Sequence, residues 1–84
     1  MIIISQDKGK IINFDNMTRV YITFDEGDDD VCIRTETVDS LYEDLGYYKT
    51  EGRAKEVLAE ITEFWKNGAM SDYKGFICYE MPED

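Results

Sequence analysis

The sequence predicts an α+β fold: a small antiparallel β-sheet with one amphipathic helix packed on a face, in the element order βββββαβ. Apolar residues recur at every second position through much of the first 48 residues, as in half-buried strands. Residues 50–68 instead repeat them at the spacing of a helix. Because most strands precede the helix in one run, an antiparallel sheet is favoured over a parallel one.

The first three strands are predicted from β-prone runs between turn residues. Residues 2–4 and 11–14 are rich in isoleucine and flank a turn-like stretch at 7–10, which favours a hairpin. Residues 17–24 alternate in the manner of a half-buried strand. One side of this strand carries Thr18, Val20, Ile22 and Phe24, and the other carries Met17, Arg19, Tyr21 and Thr23.

Residues 31–38 are predicted to return as the hairpin partner of that strand. β-Branched residues occupy alternate positions, with Val31 and Ile33 directed inward and Arg34 and Glu36 directed outward. We therefore expect an apolar face toward the core and a charged face toward solvent.

Two less regular strands complete the predicted sheet. Residues 41–48 contain Gly46 and an acidic pair, which weaken a strand, so we expect them at an edge. Residues 73–80 follow the helix and supply the last strand, and Pro82 then ends the ordered chain.

The helix is predicted with both of its ends. Thr50 is suited to cap the first turn, Glu51 and Lys55 are spaced to pair, and Gly68 ends the helix. We expect its apolar stripe, with Trp65, to lie in the core. The stripe consists of Ala54, Val57, Leu58, Ile61, Phe64 and Trp65.

Length and hydropathy indicate a single cytoplasmic domain covering residues 1–84. The chain is 43% hydrophobic, enough for one core, and a domain of this size has little room for a deep cavity. Its longest apolar run, residues 1–4, is far below the roughly 20 residues of a membrane span, and no leader pattern precedes it. Cys32 and Cys78 form no CxxC motif, and we expect both to be reduced core residues.

The charge balance disfavours nucleic acid and membranes as direct partners. Nineteen Asp and Glu against nine Lys and Arg give a formal charge of −10, and the basic residues are scattered singly. A basic protein surface that normally holds nucleic acid fits this charge better.

Catalytic and metal-binding patterns are missing from the sequence. There is no histidine, and neither GxxxxGK[ST] nor GxGxxG occurs, so we predict a non-enzymatic protein without cofactor or metal. A calcium loop starting at Asp25 would place Glu36 correctly at its twelfth position. It would also place Gly27 and Asp30 where a ligand and a glycine are needed.

The segment DEGDDD at residues 25–30 has two interpretations. It is a solvated hairpin tip whose charge discourages aggregation, or it belongs to an anionic surface that mimics a phosphate backbone. Tyrosine is a frequent interface residue, and Tyr47 and Tyr48 must face opposite sides of a strand. The candidate partner-binding residues are Asp25, Glu26, Asp28, Asp29, Asp30, Glu36, Asp39, Glu43, Asp44 and Tyr47.

Two stretches, IIISQDKGKIINFDN at 2–16 and LGYYKTEGRAKEVLAEI at 45–61, resemble a group of short phage and prophage proteins of Gram-positive bacteria. Those proteins have an opening of the type II.SQD...IINFDN and a helix start of the type LG.Y.TEERAKEVL. This chain departs from the pattern at Gly52, where the group has an acid, and in its more acidic middle. The resemblance implies a phage-borne protein, and small acidic phage proteins often resemble inhibitors of host defence such as anti-CRISPR proteins.

Three functions follow as hypotheses. The first is an inhibitor that occupies the basic groove of a host defence nuclease or CRISPR effector in the host cytoplasm. The second is an accessory domain that assembles into a homodimer and whose acidity serves solubility. The third is a sponge for a nucleotide signal, which would need Arg19, Arg34 and Arg53 to converge between subunits.

Overall fold

The computed structural model describes residues 1–24, 30–69 and 78–84. A short 3₁₀ helix at Phe14–Asn16 precedes the third strand. The remaining elements, in chain order, are β1 (Ile2–Ile4), β2 (Ile11–Asn13), β3 (Met17–Phe24), β4 (Val31–Thr37), β5 (Tyr42–Tyr48), α1 (Glu51–Ala69) and β6 (Cys78–Glu80). The α+β class and the order βββββαβ are confirmed. The part of the last predicted strand before Cys78 lies outside the described residues.

The strands form two small sheets. The first has the order β2-β1-β6 and the second the order β3-β4-β5, with α1 against one face of the second. All pairings are antiparallel except β1 with β6, which run parallel with Ile3 opposite Tyr79. The predicted edge position of β5 is confirmed. Among the described residues, no helix has both the length and the apolar character to cross a membrane.

One hydrophobic core joins both sheets to the helix. Strand β4 contributes Val31 and Ile33, and the helix contributes side chains one turn apart. The core consists of Met1, Ile3, Ile12, Val31, Ile33, Leu45, Tyr48, Ala54, Val57, Ile61, Tyr79 and Met81.

The start of the helix is confirmed as predicted. Thr50 Oγ1 accepts a hydrogen bond from the Arg53 backbone N–H at 3.0 Å, and Lys55 Nζ lies 3.7 Å from Glu51 Oε1. The prediction that the apolar stripe is buried to its end is wrong: Phe64 is 42% exposed and Trp65 is 52% exposed. Burial on this helix face ends at Ile61, and beyond it the partly exposed Phe64 ring packs edge-on against Tyr79 of β6, with ring centres 5.1 Å apart.

The predicted faces of β3 need one correction. Met17 packs against the core together with Val20 and Ile22, although its position in the alternation placed it on the other side. The register shifts between Met17 and Arg19, so Thr18 is an extra residue that reverses the alternation at the start of the strand. Phe24, at the far end, is exposed.

The two cysteines differ in their surroundings. Cys32 is buried in the central strand β4, as predicted, whereas Cys78 is exposed, which contradicts the prediction. Within β6 only Tyr79 points inward, so its neighbours on either side face solvent.

Burial raises the pKa of the Cys32 thiol to about 11, with a smaller contribution from Asp44. We expect the native protein to react at about pH 8 with a thiol reagent at Cys78 alone, and Cys32 to react only after unfolding. Titration with and without denaturant measures this, with Cys78→Ser as the control that removes the native reaction. Equal rates at both thiols in the native state would contradict the buried position of Cys32.

Candidate protein-binding surface

The face of the second sheet that points away from α1 carries a regular grid of polar and aromatic side chains. Core residues such as Ile33 and Tyr48 point toward the helix, so the residues between them point to the opposite side. We call this side the outer face. Its three cross-strand rows, read from β3 to β5, are Arg19–Glu36–Tyr42, Tyr21–Arg34–Asp44 and Thr23–Cys32–Tyr47.

Arg19 is fixed at one corner of the outer face. Its Nε donates to Glu36 Oε2 at 2.8 Å, directly across the strand pair. Its guanidinium carbon lies 4.4 Å from the centre of the Tyr21 ring, two residues along the same strand. A cation held by a carboxylate and stacked on a ring has few other positions to adopt.

Arg34 repeats this arrangement at the middle of the grid. Its Nε donates to Asp44 Oδ1 at 2.6 Å, and its guanidinium carbon lies 4.4 Å from the centre of the Tyr42 ring. Tyr47 Oη donates to the other oxygen of Asp44 at 2.9 Å. The Arg34 hydrogen bond is the main reason that the pKa of Asp44 lies below its usual value, against a partial desolvation that raises it.

The lowered pKa of Asp44 makes stability depend on pH in a defined direction. A carboxyl group with a depressed pKa in the folded state stabilises the protein above its unfolded pKa, and loses this contribution as pH falls through the folded value. We expect Asp44→Asn to lower the free energy of unfolding by about 1–2 kcal/mol at neutral pH, and by progressively less below about pH 4. Urea midpoints across pH measure this. The control Asp39→Asn changes an exposed turn residue and should behave like the parent; a loss independent of pH would contradict the role of the ionised pair.

Three predicted partner-binding carboxylates are engaged within the chain. Glu36 and Asp44 bind Arg19 and Arg34, and Glu43 accepts Lys10 Nζ at 2.9 Å. The two arginines and two carboxylates of the outer face cancel in formal charge. The outer face is therefore a neutral surface on a strongly acidic chain.

The remaining predicted residues do not lie together. Asp30 precedes β4 and Asp39 follows it, so they lie at opposite ends of a strand about 23 Å long. Asp39 lies in a turn whose apolar neighbours Val38 and Leu41 are exposed. Asp25, Glu26, Asp28 and Asp29 lie outside the described residues. Tyr47 is on the outer face and Tyr48 is in the core, which confirms that they face opposite sides.

Only three of the nine outer-face residues, Glu36, Asp44 and Tyr47, were candidate partner-binding residues. Both arginines and the other two tyrosines, Tyr21 and Tyr42, were not among them. Alternation placed Arg19 and Tyr21 on one side of β3, and Arg34 on the outward side of β4. Opposite charges at positions that face each other across a strand pair could have indicated that these residues lie together. Recognising such positions requires knowledge of the strand register, which the sequence does not provide.

The three arginines considered for a nucleotide site already have carboxylate partners in this chain. Arg19 binds Glu36, Arg34 binds Asp44, and Arg53 lies 3.1 Å from Glu56 and donates to the Asp84 carbonyl at 2.7 Å. Arg53 also borders an open cleft of about 510 Å³ in which Asp30, Glu83 and Asp84 stand with Lys49. Phosphate groups would have to displace these carboxylates.

The edge of β5 is closed by one side chain from the turn between β1 and β2. Gln6 Oε1 accepts from the Tyr47 backbone N–H at 2.7 Å, and Gln6 Nε2 donates to the Tyr47 carbonyl at 2.8 Å. The same Nε2 donates to the Glu83 carbonyl at 2.8 Å, and the Gln6 backbone N–H donates to Leu45 at 2.8 Å. Gln6 thus binds the outer edge of β5 in the way that a neighbouring strand would.

Comparison with protein-family models, with curated proteins and with solved structures gave no match. Within residues 1–24, 30–69 and 78–84, no three His, Cys, Asp or Glu side chains are grouped so that they could hold a metal ion. The best-defined surface feature of the described residues is the outer face, which has the composition of a protein interface.

Proposed function

We propose that this chain is a non-enzymatic, protein-binding inhibitor. It binds a basic, nucleic-acid-handling protein in the cytoplasm through the outer face, and so obstructs the groove of that protein. In keeping with the phage-type sequence pattern, the proposed partner is a host defence nuclease such as a CRISPR effector.

The observation that carries the proposal is the pair of arginine–tyrosine stacks on the outer face, each fixed by a carboxylate. Tyrosine and arginine dominate the binding energy of protein interfaces, and here their side chains are already ordered before a partner arrives. The entropy cost of ordering them on binding is correspondingly small. Tyr42 is 59% exposed and so offers its ring to a partner.

Net charge supplies the second part of the proposal. A chain of formal charge −10 attracts a basic surface over distance, which raises the association rate more than it slows dissociation. The acidic segment 25–30 acts in this step, and the neutral outer face determines how long the complex lasts. Phosphate mimicry then comes from the whole acidic chain and not from one anionic face.

Binding of a purified CRISPR effector or defence nuclease, measured by surface plasmon resonance, tests this proposal. We expect Tyr42→Ala to weaken binding about 30-fold, mainly through faster dissociation. The matched control is Trp65→Ala, which removes another exposed aromatic ring, on the helix, and should leave binding unchanged. If Tyr42→Ala binds as the parent does and Trp65→Ala binds more weakly, the interface lies on the helix and the proposal is contradicted.

The acidic segment has its own readout in the same assay. Replacing Asp28, Asp29 and Asp30 by asparagine should slow association and flatten its salt dependence, while dissociation stays close to that of the parent. If the association rate at low salt is the same as that of the parent, the acidic segment has no role in attracting the partner.

A second candidate function is self-assembly, and the turn between β4 and β5 favours it. Val38 and Leu41 are exposed apolar side chains in this turn, beside the exposed ring of Tyr42. Light scattering after size-exclusion chromatography, at low and high salt, distinguishes the two functions. A homodimer that resists salt, in a protein that binds no basic nuclease, would favour assembly.

A further inference from the structure

The second sheet has one closed edge and one open edge. The edge of β5 is occupied by Gln6, through both atoms of its side-chain amide. Among the described residues, strand β3 pairs only with β4, and its one other backbone hydrogen bond is that of the Met17 N–H to the Phe14 carbonyl at the start of the strand. Within this part of the chain, the open edge is that of β3.

The register shows which backbone groups lie at the open edge. The Tyr47 N–H and C=O both bind Gln6, so both point away from β4. Cys32 faces Tyr47 across the strand pair, and its backbone N–H and C=O therefore point to the other side, toward Thr23 of β3. Thr23 accordingly pairs with β4, and the residues next to it point the other way. The Arg19 carbonyl agrees with this alternation, because it accepts from Thr35 Oγ1 of β4 at 3.0 Å.

It follows that Val20, Ile22 and Phe24 direct their N–H and C=O groups to the open edge. The bulge at Thr18 disturbs only the start of the strand, and β3 contains neither proline nor lysine, two residues that commonly protect an edge. Phe24, which is exposed, adds apolar surface at the far end. An eight-residue strand with these properties is a template for a further strand.

We propose that an extended, basic segment of the partner protein adds to β3 as the fourth strand of the second sheet. The proposal rests on the proposed function, for which it names the mode of docking. Charge selects the occupant, because the whole chain carries −10. Lys or Arg side chains on an incoming strand are attracted to this chain, whereas a second copy, with the same charge, is repelled.

Amide hydrogen exchange of the full chain, followed by NMR, tests the open edge directly. In the free protein we expect the amides of Val20 and Ile22 to exchange at least about tenfold faster than those of Tyr21 and Thr23, which are bonded to β4. The probe for the added strand is the synthetic peptide acetyl-(Lys-Val)₄-amide. Its binding should slow exchange at Val20 and Ile22 by about tenfold or more and leave Tyr21 and Thr23 unchanged.

Two controls separate strand addition from simple charge attraction. The same peptide with every backbone nitrogen methylated keeps its charge but cannot pair, and it should bind at least about tenfold more weakly and protect neither amide. Val20→Pro removes one outward N–H with almost no change in side-chain volume, and it should weaken binding of the unmethylated peptide. If Val20→Pro does not fold, the methylated peptide carries the test on the unaltered chain.

Three results would overturn the proposal: slow exchange at Val20 and Ile22 in the free protein, equal binding of the methylated peptide, or protection that rises with protein concentration alone. The last would make a second copy the occupant. If the peptide does not add to β3 but Tyr42→Ala strongly weakens nuclease binding, the proposed function stands and only strand addition is contradicted. If the peptide adds to β3 but Tyr42→Ala does not weaken nuclease binding, the proposed function is contradicted and strand addition stands.

Discussion

Replacing Ile33 by alanine is expected to lower the free energy of unfolding by about 2–5 kcal/mol. Ile33 is 0% exposed at the middle of the central strand β4, where the core side chains of both sheets and the helix meet. Of its two cross-strand neighbours, Gly46 on β5 has no side chain, and Ile22 on β3 packs against the core. The loss therefore combines the lost burial of the side chain with the cost of the cavity that remains after neighbouring side chains move.

A loss of this size is large for a domain of 84 residues, whose total stability is about 4–12 kcal/mol. Urea unfolding followed by circular dichroism measures it as a lower midpoint. The matched control is Ile11→Ala, the same change at a side chain that is 75% exposed, and it should alter stability by at most about 0.5 kcal/mol. Similar losses in the two variants would contradict the core arrangement.

The second large effect is expected from Gln6→Glu, at about 2–3 kcal/mol near neutral pH. Gln6 Nε2 donates to the carbonyls of Tyr47 and Glu83, both at 2.8 Å. A glutamate keeps the acceptor for the Tyr47 N–H but puts a negative oxygen against two carbonyl oxygens. The change alters almost no volume, so its cost is that of two lost donors and one misplaced charge.

The pH dependence identifies this cause. Two facing carbonyls raise the pKa of the introduced carboxyl in the folded state, because only its protonated form can donate to them. The destabilisation is then present above that raised pKa and is relieved as pH falls below the unfolded value of about 4. Urea midpoints of parent and variant at about pH 7 and pH 3 measure the relief.

Gln6→Ala is the control for this prediction, since it removes all three side-chain bonds without adding a charge. It should cost about 1 kcal/mol, because water can reach the edge of β5, and the cost should not depend on pH. A greater loss in Gln6→Ala than in Gln6→Glu at neutral pH would mean that Gln6 acts mainly by packing.

The proposed binding surface and the contacts that stabilise the fold lie on different parts of the second sheet. Ile33 is buried in the core and Gln6 binds the β5 edge, whereas Tyr42 is exposed and the edge of β3 pairs with no other strand among the described residues. Substitutions at Tyr42 can be compared with the parent without loss of the fold, because its side chain is largely exposed.

The sequence predicted the elements well wherever the signal was local. Period-two alternation located β3 and β4, helical spacing located α1, and Thr50 marked its first turn. Each of these signals lies within a few residues of the chain, so no knowledge of distant contacts was needed. Errors arose where a distant element decides burial, as at Trp65, which is 52% exposed, and at Cys78, which faces outward from β6.

The candidate site could be predicted only in part, for the same reason. Counting carboxylates led to Glu36, Glu43 and Asp44, but the fold places Arg19 and Arg34 of other strands, and Lys10 just before β2, against them. A shift of one residue in either strand pair would have turned these side chains to the opposite face.

The sequence by itself determined the class of fold, the order of its elements, the strongly acidic charge and the residue types available at each face. These properties follow from the identity and spacing of neighbouring residues. Tertiary structure alone decided the division into two sheets, the neutralised outer face, the closure of β5 by Gln6 and the open edge of β3. Each of these depends on strand register and on contacts between residues far apart in the chain, which are selected by burial of the whole core.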